Sequence, residues 1–131
     1  LKGQLPWPAD GRIISKFGRQ WNSKLKTTTE NPGIDIKGKP GSSIRTVLGG
    51  VVTTITYIRG YGTTIIVDHG GGFYTVYSHV TNIQTNVDSQ VRNGDVIAYM
   101  GDSGSINGSK LHFEIWGKGQ KLDPEKWLRK K

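Results

Sequence analysis

The stretch Thr63-Thr64-Ile65-Ile66-Val67-Asp68-His69-Gly70-Gly71-Gly72-Phe73-Tyr74-Thr75-Val76-Tyr77-Ser78-His79 decides the fold. Two runs of β-branched and aromatic residues flank three glycines, the pattern of two antiparallel strands joined by a tight loop. Ile65, Ile66 and Val67 form an unbroken apolar centre in the first run. In the second, Phe73, Thr75 and Tyr77 alternate against Tyr74, Val76 and Ser78, the period of a half-buried strand. The same grammar continues outward. Gly60-Tyr61-Gly62 separates this hairpin from Val51–Ile58, and Gly49-Gly50 separates that run from Ser43–Leu48. Asn93-Gly94-Asp95 opens Val96–Met100. In Leu111–Trp116, Leu111, Phe113 and Ile115 fall on one face and His112, Glu114 and Trp116 on the other.

Nearer the amino end, Arg12–Phe17 reads as a strand carried by Ile13 and Ile14, and Gly33–Ile36 as a short one. The polar stretch Gly18–Glu30, with its Thr27-Thr28-Thr29 run, reads as a long irregular loop of the kind that often carries function. Helix is confined to a turn at Pro124–Leu128, with Asp123 as N-cap and proline in the first helical position. The predicted class is therefore all-β, antiparallel, one domain over residues 1–131.

Composition supports this reading. A chain of 131 residues buries roughly two-thirds of its unfolded surface, enough for one self-sufficient core. Nineteen glycines and twelve threonines suit many turns between short strands. There is no cysteine, so disulfides and thiolate metal sites are excluded, and no apolar run approaches the ~18 residues of a membrane-spanning helix. Eighteen Lys/Arg against ten Asp/Glu give a net charge of +8, which favours polyanionic or acidic partners. Six of those cations lie between Lys118 and Lys131, where a frayed basic tail is the simplest expectation. No helix-turn-helix or aromatic ribonucleoprotein strand accompanies the charge, so nucleic-acid binding is not expected.

Several motifs, in order along the chain, carry a resemblance. Asn31-Pro32-Gly33-Ile34-Asp35-Ile36 resembles the H-x-G-x-D motif of the lysostaphin-like (LytM) zinc peptidases, with Asn31 where a histidine is expected. Tyr77-Ser78-His79 resembles the family's Y-x-H, and Lys110-Leu111-His112-Phe113-Glu114 its H-x-H-F-E, with Lys110 in place of the first histidine. Val91–Ile97 and Gly101–Gly104 are similar to its turns, and the likeness runs from about residue 6 to residue 128. It implies a LytM-type β-sandwich or barrel-sandwich hybrid. It also implies roles: in active members the positions of Asn31, Asp35 and His112 hold zinc, while those of His79 and Lys110 assist the attacking water and the oxyanion.

A catalytic zinc wants three protein ligands and an open water position. Asp35 and His112 remain, an amide oxygen is a poor substitute for imidazole, and Lys110 adds a charge that repels a divalent ion. The expectation is a pseudo-peptidase without zinc or other cofactor, in which Asn31, Asp35, His79, Lys110 and His112 are relics and none is catalytic. Lys110 shares a strand face with His112, so its ammonium is predicted to pair with the Asp35 carboxylate, with His112 completing the network. Lys110 pointing into solvent is the alternative.

The opening Leu5-Pro6-Trp7-Pro8 and the ending Asp123-Pro124-Glu125-Lys126-Trp127-Leu128 resemble the degenerate LytM domains of EnvC-type murein hydrolase activators. That resemblance implies a C-terminal domain after an upstream coiled coil, in the cell envelope, periplasmic or otherwise extracytoplasmic. It implies a domain that binds and activates an N-acetylmuramoyl-L-alanine amidase, seizing a regulatory helix in the former active-site groove. Arg59, Tyr61, His79, Lys110 and His112 are the expected partner-binding residues, with the Gly18–Glu30 segment as a wall. Two other readings stay open: an active zinc endopeptidase of peptidoglycan cross-links with a variant site, and a non-enzymatic peptidoglycan-binding module.

Overall fold

A computed structural model of the chain describes residues 1–105 and 108–131. Its strands are β1 (Arg12–Ser15), β2 (Gly18–Asn22), β3 (Thr27–Asn31), β4 (Ile34–Lys37), β5 (Ser43–Arg45), β6 (Gly50–Ile58), β7 (Gly62–Gly70), β8 (Phe73–Ser78), β9 (Val80–Thr81), β10 (Gln90–Val91), β11 (Val96–Met100), β12 (Lys110–Gly117) and β13 (Gln120–Leu122). One helical turn, α1 (Pro124–Trp127), follows, and the Asp123 carboxylate caps it by accepting from the Glu125 amide at 3.0 Å.

The large sheet runs β1-β4-β12-β8-β7-β6-β10, with β13 added to β12. A smaller sheet, β5-β11-β9, packs on it through a common core. From the large sheet come Ile34, Ile36, Ile65, Val67, Tyr77, Leu111, Phe113 and Ile115, and from the small one Ile44, Val80, Ile97, Ala98 and Met100. All strand pairs are antiparallel. The alternation read in Leu111–Trp116 holds: Leu111, Phe113 and Ile115 enter the core, and His112, Glu114 and Trp116 share the other face.

Between β8 and β9 the chain crosses from the large sheet to the small one at a single residue. His79 lies between β8 and β9 with φ of 65°, left-handed backbone that costs a non-glycine residue on the order of 1 kcal/mol. Three contacts hold it there. Its amide donates to the Tyr61 carbonyl at 2.9 Å, its carbonyl accepts from the Gly101 amide at 3.1 Å, and its ring bonds to the Ser103 carbonyl.

Three expectations need correction. Gly18–Glu30 is not an irregular loop but the hairpin β2–β3, in register from Gly18↔Asn31 to Asn22↔Thr27. The Thr27-Thr28-Thr29 run supplies β-branched residues, and the turn is closed by the Asn22 side-chain oxygen, which accepts from the Lys24 and Leu25 amides at 3.0 and 3.1 Å. Apart from Trp21 its strands are polar on both faces, so no hydrophobic alternation betrays it. Nor is the basic end frayed. The Arg129 amide donates to the Leu5 carbonyl at 2.8 Å, and the Lys131 ammonium sits 4.3 Å from the centre of the Trp7 ring while donating to the Gly11 carbonyl at 2.6 Å. The first strand also stops at Ser15 after a register shift, leaving Ile14 exposed while Ile13, and Phe17 beyond the strand's end, pack against the core.

The turn that enters β7 is tightly specified. Gly60 and Gly62 both have positive φ, but a Cβ on Gly60 meets open space, whereas one on Gly62 drives into the Ser103 carbonyl. Gly60→Ala is expected to cost about 1 kcal/mol of stability, the left-handed penalty alone, and Gly62→Ala about 3 kcal/mol or more. Urea unfolding of the two variants beside the parent measures the difference; equal losses would show that the Ser103 loop gives way freely.

Candidate functional site

The pairing of β12 with β4 and β8 builds the site. His112 faces Asp35 across β4 and Ser78 across β8, and Lys110 and Glu114 extend the same face of β12 in either direction. His112 is 3 % exposed and lies between two carboxylates: its Nδ1 is 2.7 Å from Asp35 Oδ1, and its Nε2 is 2.7 Å from Glu114 Oε2. The Lys110 ammonium donates to Asp35 Oδ2 at 3.0 Å, so it does not point into solvent. On the far side, Trp116 Nε1 donates to Glu114 Oε1 at 2.7 Å, and the Lys121 ammonium stands 3.6 Å from the same oxygen. A line of alternating charge, Lys110, Asp35, His112, Glu114, Lys121, thus crosses three strands.

Electrostatics follow from the geometry. Burial pushes the Asp35 carboxyl up, but the hydrogen bonds and charges of His112 and Lys110 outweigh it and hold the group at about 2, below its ordinary 3.8. Burial favours neutral His112, yet the hydrogen bonds and charges of Asp35 and Glu114 prevail and raise its pKa above 6.5. Glu114 is likewise held low: burial opposes this, and His112, Trp116 and Lys121 overcome it. Both partners of His112 are acceptors, so the geometry favours the imidazolium form, with a proton on each ring nitrogen.

Asn31 ends β3 beside this line. Its amide nitrogen donates to Ser15 Oγ at 2.9 Å and lies 3.5 Å from Asp35 Oδ1, while its oxygen accepts from the Gly33 amide at 3.0 Å. His79 forms another wall. Its Nδ1 must donate to the Ser103 carbonyl at 2.6 Å, leaving the lone pair on Nε2, and burial, then Lys110 and His112, keep the ring neutral despite that bond and Asp35. The Tyr61 ring packs at a tilt beside both histidines, with ring centres 4.8 Å from His112 and 6.4 Å from His79. Burial, with the charges of Glu114 and Asp35, raises its phenol pKa.

These groups line an open cleft of about 370 Å³ that takes in Asn31, Asp35, Tyr61, His79, Lys110 and His112. Of the residues singled out from the sequence, only Arg59 lies outside its lining; it is exposed in the same turn as Tyr61. The Gly18–Glu30 segment, expected as a wall, contributes Gln20, Thr29 and Glu30 to the lining, and Ser15 at the end of β1 is an addition to it. No motif marks those four. His69 is a satisfied structural residue, with Nδ1 on the Gly49 carbonyl at 2.9 Å and Nε2 on the Thr75 hydroxyl at 2.7 Å.

The donor set does not fit a catalytic zinc. Coordination needs a lone pair on imidazole, and both nitrogens of His112 are engaged as donors. One Asp35 oxygen faces an ammonium and the other an imidazolium. Asn31 turns its NH₂ toward Asp35 and its oxygen away, and among the described residues no three His, Cys, Asp or Glu side chains are grouped to hold a metal.

An antiparallel β-sandwich with this cleft over the β4–β12–β8 face defines a peptidase-type scaffold. Residues 29–124 match the profile of peptidase family M23, and the chain belongs to that family. It is 32% identical over 127 residues to the murein hydrolase activator EnvC of Escherichia coli, covering 97% of this chain and 29% of that protein. It is 36% identical over 123 residues to the murein hydrolase activator NlpD of Salmonella typhimurium, covering 93% and 30%. Thus it spans under a third of the length of these relatives. In fold it is similar to a zinc-containing peptidase from Vibrio cholerae, with a TM-score of 0.86 at 22% identity over 98% of this chain and 41% of that one.

Two expected outcomes test the charge line. Lys110→Met should cost about 2 kcal/mol in urea unfolding, because it strips one partner from a sheltered carboxylate that keeps the other. NMR titration of the Asp35 carboxyl should then show it above its parent value of about 2. A variant as stable as the parent with Asp35 unmoved would show the pair to be idle. The second outcome concerns pH. The raised His112 pKa makes protonation stabilising, an effect fully present below 6.5 and lost as pH rises through the folded value. The lowered Asp35 pKa acts in the opposite sense, stabilising above 3.8 and losing effect as pH falls toward 2. Unfolding free energy should therefore decline as pH rises above 6.5, and His112→Gln should remove much of that slope.

Proposed function

We propose that this chain is a non-catalytic regulator of cell-wall hydrolysis, which binds and activates an N-acetylmuramoyl-L-alanine amidase in the bacterial cell envelope, on its periplasmic or extracytoplasmic side. The observation that carries this reading is the Lys110–Asp35–His112–Glu114 line. Where a peptidase needs ligands with free lone pairs and an acidified water, this cleft presents cations and protonated nitrogens. The names of the relatives support a regulatory role. The cleft, open on one side and walled by the β2–β3 hairpin and the Tyr61 turn, suits helix-in-groove recognition, with a regulatory helix of the amidase as occupant. Tyr61, His79, Lys110 and His112 form the floor and wall in this reading, and Arg59 reaches the helix from the rim. The net charge of +8 favours an acidic helix.

The test is release of dye from labelled sacculi by amidase plus this chain, with zinc content measured on the same preparations. Arg59→Glu and Tyr61→Ala should each lower activation about tenfold or more with the fold intact, as should Lys110→Glu where circular dichroism shows it folded. Lys130→Ala, on the distant tail, should activate normally. After dialysis against micromolar zinc, the chain should hold well under one equivalent and release no dye alone. One zinc per chain together with release in the absence of amidase would overturn the reading in favour of an active endopeptidase. Retention on purified sacculi without any effect on the amidase would favour a wall-binding module.

A further inference from the structure

The segment 12–29 holds five cations, Arg12, Lys16, Arg19, Lys24 and Lys26, and no acidic residue. Most of it is the β2–β3 hairpin, whose strands pair only with each other, so the ribbon stands off the two sheets as a finger. At and beside its tip are two large apolar side chains among the most exposed in the protein. Trp21, at the last position but one of β2, is 63 % exposed, and Leu25, in the turn between Lys24 and Lys26, is 70 % exposed. The fold does not need them there: each lies outside the core. A ribbon that holds up its own strands by backbone pairing and an Asn22-capped turn would fold equally well with polar residues at both places.

Exposed tryptophan and leucine bracketed by lysines make the combination that favours the boundary between water and an anionic bilayer. An indole settles at headgroup level, an aliphatic side chain reaches the acyl boundary, and the ammonium groups meet the lipid phosphates. A wall glycan would use the flat face of Trp21 but has nothing to offer a leucine at the turn. A protein groove would need complementary shape, whereas a fluid interface conforms to whatever protrudes. We propose that the β2–β3 finger is a membrane-surface contact, which docks the domain on anionic phospholipid through Trp21, Leu25, Lys24 and Lys26. The cleft lies at the base of the same finger, since Gln20, Thr29 and Asn31 line it, so docking would hold the cleft at a set height above the bilayer. This inference stands apart from the amidase reading and is tested without any amidase.

The experiment is co-sedimentation of the chain with phosphatidylethanolamine vesicles containing a third phosphatidylglycerol, against pure phosphatidylcholine vesicles. Binding to the anionic vesicles should be about tenfold or more tighter, and should be released in about 0.5 M salt, where screening shortens the reach of surface charge to a few ångström. The double variant Trp21→Ala, Leu25→Ser and the double variant Lys24→Glu, Lys26→Glu should each weaken binding about tenfold with unchanged thermal unfolding, because all four side chains are exposed. Absence of binding to the anionic vesicles, or apolar-tip variants that bind as the parent does, would overturn the proposal. So would a tip variant that keeps its vesicle binding while losing retention on purified peptidoglycan, which would assign the finger to wall polymer.

Discussion

The register of β12 against β4 sets His112 opposite Asp35, and strand periodicity then puts Lys110 and Glu114 on the same face to either side. A slip of one residue would turn Leu111 and Phe113 toward the cleft and drive Lys110, His112 and Glu114 into the apolar core. Since that core closes the space between the two sheets, hydrophobic packing and polar geometry enforce a single register together. The cleft is thus a by-product of correct core packing, and its charges are positioned to the precision of a sheet rather than of a loop.

Within that frame the polar side chains solve a problem of compensation. Asp35 and Glu114 are two carboxylates on a sheltered face, and like charges there repel unless something positive lies between them. The His112 imidazolium does so, using both nitrogens, and Lys110 and Lys121 close the ends. The line spans β4, β12 and β13, so it ties neighbouring strands together by side chains as well as by backbone bonds. Ion pairs of this kind are weak sources of net stability but costly to break from one end, which makes the arrangement specific more than strong.

Much of this was legible in the sequence. Glycine-bounded β-branched runs announced the antiparallel sheet, and the alternation in Leu111–Trp116 told which face looked inward. The same period-two rule joined Lys110 to His112 and, through the motif around Asp35, foretold the ion pair. What stayed hidden depended on long-range assembly. Ser15 and Asn31 meet because β1 pairs with β4 and Asn31 ends β3 just before β4 begins, and no local pattern records the β1–β4 pairing. The β2–β3 hairpin reads as a loop in sequence because neither of its strands buries one face, and strand signals in sequence are signals of one-sided burial. The basic end looked frayed because its anchors, Trp7 and the Gly11 carbonyl, lie about 120 residues away in the chain.

The position of His79 has a mechanical consequence. Between β8 and β9 one residue carries the chain from the large sheet to the small, and its backbone and ring are fastened to the Tyr61 turn and to the Gly101–Ser103 segment. Any occupant that pushes on the His79 ring pushes on a joint shared by both sheets and two loops. Such a joint yields little, so the His79 side of the cleft is a fixed wall rather than a closing jaw. A flexible guest must bear the entropy of conforming to it, and a guest already shaped to it gains the advantage of meeting a host that has nothing left to rearrange.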